Sequence, residues 1–333
     1  MKSIKISFLI TFYNQENYVK DCLNSILLLD LPVAYEVIVC DDGSFDNTLV
    51  EIEKFKNKFS ELKIFKNDRN PTKRYNPIRR VSLSRLRNLD NAQGEYLVFI
   101  DGDDMVVNRL YYLEGIKFLD QNANVNGYAG NFRYLNANNP DNDNTDHPKE
   151  GLINFETYLE RYYLHVGGFI FRRSISRDTI LKLKKIENFD DGMIAFAHLY
   201  DNSFFFKNVV SYHYRQNSSS IWNDSSSIYK DLLQLLDFDV FCEIFDSKYR
   251  VQAFRRNYAP FKRLLAQGPK VVEILTEEKV ETLLQWTSLL KRSIVRRLIL
   301  SDVPDRLALF ATFAYFKTLS AADKLLNRIL SRI

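Results

Sequence analysis

Cysteine is scarce in this chain: the three present, Cys22, Cys40 and Cys242, are odd in number and widely spaced, with no Cys-x-x-Cys pair. That pattern offers neither a disulfide framework nor a cysteine zinc site and fits a reducing, cytoplasmic setting. No Gly-x-Ser-x-Gly elbow occurs and no cysteine has a local partner, so nucleophilic serine or cysteine catalysis has no support. Long apolar runs are missing too. The longest, Leu307 to Phe316, has ten residues, against about 20 for a membrane-spanning helix. Met1 to Phe8 pass straight into a strand pattern, without the apolar core and cleavage site of a signal peptide. A formal charge of +4 is too small to point to nucleic acid.

Hydrophobic residues make up 46% of the 333, ample for a large core. Ile4 to Thr11 reads as a strand, followed by an amphipathic helix with Tyr18, Cys22, Ile26 and Leu29 on one face and Asn14 as its cap. Tyr35 to Cys40 and Leu62 to Phe65 read as the next strands, with a helix between them through Phe59. A basic, Pro-containing segment, a helix around Ser84 to Ala92 and a strand from Tyr96 follow. This β-α-β-α order predicts a mostly parallel sheet covered by helices on both faces, with ligands outside the carboxyl ends of its strands.

The strand Tyr96 to Ile100 ends abruptly in Asp101-Gly102-Asp103-Asp104. Carboxylates so crowded repel one another unless a cation or solvent relieves them, and hard oxygen ligands suit Mg²⁺ or Mn²⁺. The alternative is a solvated acidic turn. Thr11-Phe12-Tyr13-Asn14 and Asp41-Asp42-Gly43-Ser44 also fall at strand ends, so three polar clusters are expected on one sheet edge. Together they supply what a nucleoside diphosphate needs: acceptors for base or ribose, and a metal-holding group for phosphates.

These stretches resemble the family 2 glycosyltransferases of the GT-A fold, over about residues 4 to 222. The family's opening pattern stands as Ile10-Thr11-Phe12-Tyr13-Asn14, its Asp-Asp-Gly-Ser turn as Asp41 to Ser44, and its Arg-containing helix as Ser84 to Tyr96. The last leads into the Asp-x-Asp position at Asp101 to Asp104. Asp190-Asp191 stands where the family usually has Glu-Asp, and Tyr214-Arg215-Gln216 resembles its Tyr-Arg segment. Leu86 and Asn88 replace the usual Asn and Gly, and Pro77-Ile78-Arg79-Arg80 replaces the usual Asn-x-Gly.

The resemblance implies an inverting transferase that moves a single sugar from a nucleotide-sugar donor, a UDP-sugar, to a glycan or lipid-linked acceptor in surface polysaccharide, lipopolysaccharide or glycoconjugate assembly. Thr11, Tyr13 and Asp42 would bind the base; Arg85, Asp101, Asp103 and Asp104 would serve the diphosphate. Mn²⁺ or Mg²⁺ would be held by Asp103 and Asp101, with His213 as a further candidate. Asp191 would take the acceptor's proton, although an acidic residue at the start of the helix from Asp190 to Tyr200 has a helix-dipole explanation as well. The nucleotide-binding half would end near residue 104 and the acceptor half at 222, with a helical, basic region at 223–333. Two other readings are a degenerate, non-catalytic glycan- or membrane-binding protein and a sugar-nucleotide pyrophosphorylase, whose Gly-rich phosphate loop is lacking after the first strand.

Two segments carry their own expectations. Asn136 to Pro148 has almost nothing to bury and reads as a loop, and Ser218 to Ser227 reads as the end of the first domain. Residues 285–333 hold nine Lys or Arg against three Asp, interleaved with Leu289, Leu290, Ile294, Leu298 and Ile299. Such a stretch either lies peripherally on an anionic membrane surface at the inner face of the cell membrane or packs as a small helical bundle.

Overall fold

The computed structural model describes residues 3–69, 76–136, 142–216, 226–245, 248–267, 275–291 and 293–300. The chain divides into two compact units, Met1–Tyr158 with Tyr162–Asp224, and Leu159–Arg161 with Ser225–Ile333.

The first unit begins with β1 (Ile6–Phe12), α1 (Val19–Leu28), β2 (Tyr35–Asp41), α2 (Thr48–Glu53), β3 (Leu62–Lys66), α3 (Pro77–Asn91) and β4 (Tyr96–Asp101). It continues with β5 (Met105–Val106), α4 (Arg109–Gln121), β6 (Gly127–Asn136), β7 (Asn142–Asp143), β8 (Gly151–Asn154), α5 (Phe155–Arg161), β9 (Phe169–Arg172), α6 (Arg177–Ile186), α7 (Asp191–Leu199) and β10 (Ser203–Gln216). One sheet runs β3-β2-β1-β4-β9-β6-β10-β5, with β7 beside β6 and β8 beside β10. The pairs β3-β2, β2-β1, β1-β4 and β6-β10 are parallel, whereas β9 lies antiparallel between β4 and β6.

Every residue of β1 is buried, as continuous apolar runs require when helices cover both faces. Phe8, Ile10 and Phe12 join Val37, Val39, Val98 and Ile100 in a core closed by Val19, Cys22 and Ile26 of α1. The opposite face of β1 and β2 is covered by α3. This central packing fixes the height of the strand ends that carry the site.

The structure corrects three expectations. Asn14 does not cap α1, which starts at Val19; its backbone is left-handed (φ 49°) and its Oδ1 accepts from Phe45 N–H at 2.9 Å, tying the end of β1 to the turn after β2. α3 does not start near Ser84 but at Pro77, because Asn76 Oδ1 accepts from Ile78 and Arg79 N–H (3.0 and 3.3 Å) and proline suits the first helical position. Within the expected loop Asn136 to Pro148, Asn142–Asp143 pairs with β6 and Asn144 is buried beneath a bond from Asn131 Nδ2. Residues 137–141 and the serine-rich segment 217–225 lie outside the described residues.

The second unit is helical: α8 (Ser227–Ile244), α9 (Arg250–Arg256), α10 (Tyr258–Gln267), α11 (Glu277–Thr287) and α12 (Ile294–Leu300). Asp239 of α8 accepts from Ile294 and Val295 N–H (3.0 and 3.1 Å), satisfying the otherwise open start of α12. Leu290, Val295, Leu298 and Ile299 are buried, so these apolar residues are used in packing. Among the described residues no helix is long and apolar enough to cross a membrane. The run Leu307 to Phe316 lies outside them.

Candidate active site

The parallel register puts Phe12 level with Asp41, and Thr11 level with Asp101, so the three polar strand ends stand side by side on one sheet edge. Two turns there are set by glycine. Gly43 adopts φ 73°, where a side chain is strained, and Gly102 lies so close to Phe12 that an added Cβ would sit 2.1 Å from its ring.

At the end of β2, Asp42 is gripped by two arginines. Arg80 Nε donates to Oδ2 (2.7 Å) and Arg80 Nη2 to Oδ1 (2.9 Å), while Arg69 Nη2 donates to Oδ2 (2.9 Å). The Asp42 carbonyl also accepts from Arg69 Nε (2.8 Å) and Arg80 Nη2 (2.9 Å). Asn67 Nδ2 and Ser84 Oγ reach Oδ1 only at 3.4 Å. The Arg69 guanidinium lies 3.2 Å from the centroid of the Tyr13 ring.

At the end of β4 a second cluster forms around Arg85, which is buried on α3. Its Nη2 stands 2.8 Å from Oδ1 of Asp101 and 2.8 Å from Oδ1 of Asp191, joining the tip of β4 to the first turn of α7. Burial works against the guanidinium's charge, but Asp101 and Asp191 outweigh it and raise its pKa. Burial likewise pushes the Asp101 carboxyl up, and the Arg85 charge more than offsets it, holding the group below its ordinary value. Thr11 Oγ1 approaches the same Asp101 oxygen at 3.4 Å. Asp190 caps α7, its side chain accepting from Met193 N–H at 3.0 Å; Asp191 lies in the first turn, where the helix dipole favours an acid, and its Oδ1 is 2.8 Å from Arg85.

Asp104 is the buried member of the acidic tip. Tyr212 Oη donates to its Oδ2 (2.7 Å) and Arg215 N–H to its Oδ1 (2.7 Å), fastening the turn to β10. Burial, then the charges of Asp103 and Asp101, push its carboxyl well above the ordinary range despite those bonds. A cation would relieve that repulsion. Arg215 Nε donates to the Asp103 carbonyl at 2.9 Å.

Ligand atoms from Asp101, Asp104 and His165 all lie within 4.8 Å of one another, so two carboxylates stand close enough to share a hard divalent ion. This set includes neither Asp103 nor His213; His213 occupies the opposite face of β10 from Tyr212 and Tyr214 by strand alternation, and those tyrosines pack on His165 with ring centroids 4.8 and 4.7 Å away. His165 is a residue that sequence reasoning missed. Its Nδ1 accepts from Gly167 N–H (3.2 Å), which assigns the neutral ring's proton to Nε2, 3.8 Å from Asp191 Oδ2. In that tautomer the ring has no lone pair for a metal, and the fit to a cation rests on the carboxylates. Arg80 stands in the sequence only within the stretch that replaces the family's Asn-x-Gly; the Asn76-Pro77 helix start is the signal that places it and Ser84, four residues on, over Asp42.

The model of glycosyl transferase family 2 matches residues 7–180, more than half of the chain. The chain belongs to this family. The family 2 match contains both strand-end clusters and Arg85, and it stops within α6, ahead of Asp191. A poly(ribitol-phosphate) beta-N-acetylglucosaminyltransferase of Staphylococcus aureus, TarS, is 34% identical over 119 residues, 35% of this chain and 19% of TarS. A cholesterol galactosyltransferase of Borreliella burgdorferi is 38% identical over 106 residues, 31% of this chain and 26% of that protein. The chain thus matches about a fifth to a quarter of these relatives' lengths. The crystal structure of TarS residues 1–349 with UDP-GlcNAc superposes with a TM-score of 0.58 at 18% identity, covering 86% of this chain and 82% of that one, a likeness of GT-A fold.

Proposed function

We propose that this family 2 chain is an inverting glycosyltransferase that moves one sugar from a UDP-sugar to a glycan acceptor in surface-polysaccharide or glycoconjugate assembly. The observation that carries the reading is Arg85, whose single Nη2 stands 2.8 Å from both Asp101 and Asp191. It brings a carboxylate from a distant helix to the strand end that would face the diphosphate. The UDP and UDP-sugar bound to TarS and the glycosyl transfers named for the relatives support the donor class.

In this reading Tyr13, Thr11 and Asp42 form the base side of the site. Asp101, Asp103 and Asp104 would hold Mn²⁺ or Mg²⁺, which when bound offsets the charge of the departing diphosphate. Asp191 accepts the acceptor hydroxyl's proton as that oxygen bonds to the anomeric carbon, and the bond from that carbon to the diphosphate breaks with its electron pair leaving on the nucleotide. Arg85 keeps Asp191 and Asp101 at a fixed separation. The basic residues after residue 285, whose apolar neighbours Leu290, Val295, Leu298 and Ile299 are spent on packing, are proposed to meet an anionic membrane surface by charge alone, and failure to bind anionic liposomes at low salt would refute that part.

A calorimetric screen of nucleotide sugars with and without Mn²⁺ tests the whole. UDP-sugars are expected to bind, more tightly with the metal, and Asp103→Ala is expected to abolish the metal's contribution. Binding that ignores both the nucleotide and Mn²⁺ would overturn the reading.

A further inference from the structure

Asp191 follows a short connection, Glu187 to Asp190, that joins α6 to α7 and has little of its own to keep it in place. Glu187 closes α6 with a left-handed backbone (φ 56°), where glycine is the usual residue and a side chain is strained. Asn188 is fully buried, yet neither of its side-chain amide atoms has a hydrogen-bond partner among the described residues. Both features cost free energy, so the connection keeps this shape because its surroundings impose it.

Three contacts do so. Phe189 packs on Phe99 of β4, with ring centroids 5.7 Å apart. Asp191 meets Arg85 of α3. At the other end of the connection, Glu187 Oε2 accepts from Nε of Arg79, in the first turn of that same helix. Arg79 belongs to the stretch Pro77-Ile78-Arg79-Arg80, where this sequence leaves the family pattern. A further ion pair, Lys184 Nζ to Asp90 Oδ2 at 2.6 Å, also joins α6 to α3, but it lies outside the connection and nearer the solvent. It serves as an internal control.

We propose that Arg79 is a positioning residue for the transfer: by holding Glu187 it fixes the connection, and with it the place of the Asp191 carboxylate relative to the acceptor hydroxyl. This rests on the reading of Asp191 as the base. Arg79 acts through Glu187 and touches no reacting atom. Without the ion pair, the strained backbone at Glu187 and the unbonded Asn188 amide are free to relax, and a displacement of about 1 Å in a reacting group lowers a rate by up to about a hundredfold. Donor binding, which uses the strand ends of β1, β2 and β4, is not touched by that displacement.

The test compares the full-length wild type with Glu187→Gly, Arg79→Gln, Asp90→Asn and Asp191→Ala. It reads three quantities: turnover of the donor selected in the nucleotide-sugar screen, followed as released UDP; UDP affinity by calorimetry; and Tm. Glycine suits the left-handed backbone, so Glu187→Gly is expected to keep or raise Tm while lowering kcat about tenfold, with UDP affinity within about threefold of wild type. A merely structural role would not lower turnover in a chain of equal or higher Tm. Arg79→Gln is expected to show the same loss of kcat, and Asp90→Asn none. Wild-type kcat in both Glu187→Gly and Arg79→Gln, beside an inactive Asp191→Ala, overturns this inference and leaves the proposed function standing. A loss in Asp90→Asn equal to that in Arg79→Gln also overturns it, because any tie between α3 and α6 would then suffice, and so does an equal fall in kcat and UDP affinity. Full turnover in Asp191→Ala overturns the reading of the base and this inference together.

Discussion

The two clusters on the sheet edge are built from the same residue types with opposite balance. At β2, one carboxylate is held by two guanidiniums, Arg69 and Arg80. At β4, one guanidinium, Arg85, is shared by Asp101 and Asp191, with Asp104 buried close by and its carboxyl pushed up in pKa by burial and by the neighbouring aspartates. The first holds more positive than negative charge; the second holds more negative than positive charge, a repulsion that a cation would relieve. α3 serves both, reaching Asp42 from Arg80 and Ser84 and Asp101 from Arg85.

The largest expected effect breaks the comparison on its acidic side. Arg85→Ala removes the only guanidinium that bridges Asp101 and Asp191 among the described residues, and is expected to lower stability by about 3–5 kcal/mol, as does loss of one partner from a buried ion pair. Urea unfolding measures this; a loss below about 1 kcal/mol would mean that solvent already screens the carboxylates.

A buried group with no counter-charge calibrates the comparison. His198 packs on Phe171 (4.5 Å) behind β4, and burial pushes its pKa down to about 4. As pH falls from about 6.5 towards 4, the unfolded chain takes up a proton that the folded chain refuses, so stability drops by about 3 kcal/mol across that window. Above about pH 6.5 this group adds no pH dependence. Denaturation at pH 7 and pH 4.5 should show the drop, and His198→Phe should flatten it; an equal slope in the variant would assign the effect elsewhere.

Gly102→Ala comes next. Its Cβ would collide with Phe12, and overpacking of that kind costs about 1–3 kcal/mol, read as a lowered Tm. A Tm equal to wild type would mean that the acidic tip yields freely. The smallest effect belongs to the basic side: Arg69→Ala leaves Arg80 on both Asp42 oxygens and should cost less than about 1 kcal/mol in unfolding free energy. A cost as large as that of Arg85→Ala would erase the asymmetry.

Much of this arrangement is legible in the sequence because it is local. Apolar runs ending in Thr11, Asp41 and Asp101 announce strands with polar tips, and parallel pairing then aligns the tips without further information. Asp191 is reached through the family resemblance, as the second residue of the pair that stands at the usual Glu-Asp. What the sequence hides is non-local or depends on one boundary. A helix read from Ser84 in place of Pro77 puts Arg80 outside it, one turn ahead of Ser84, and hides that both side chains reach Asp42. His165 enters beside Asp191 only through the antiparallel insertion of β9 between β4 and β6, which no local pattern announces. His213 was placed by its motif neighbours, and strand alternation turns it away from the face that Tyr212 and Tyr214 share with His165.

Asp191 is proposed to act on the reacting side of the site and not in donor binding. The direct measurement is UDP affinity by calorimetry beside turnover of the donor selected in the nucleotide-sugar screen, for Asp191→Ala and wild type. Affinity within about threefold of wild type, with turnover lowered about a hundredfold to ten-thousandfold, is the predicted result for loss of a general base. Turnover retained at the wild-type rate would contradict it.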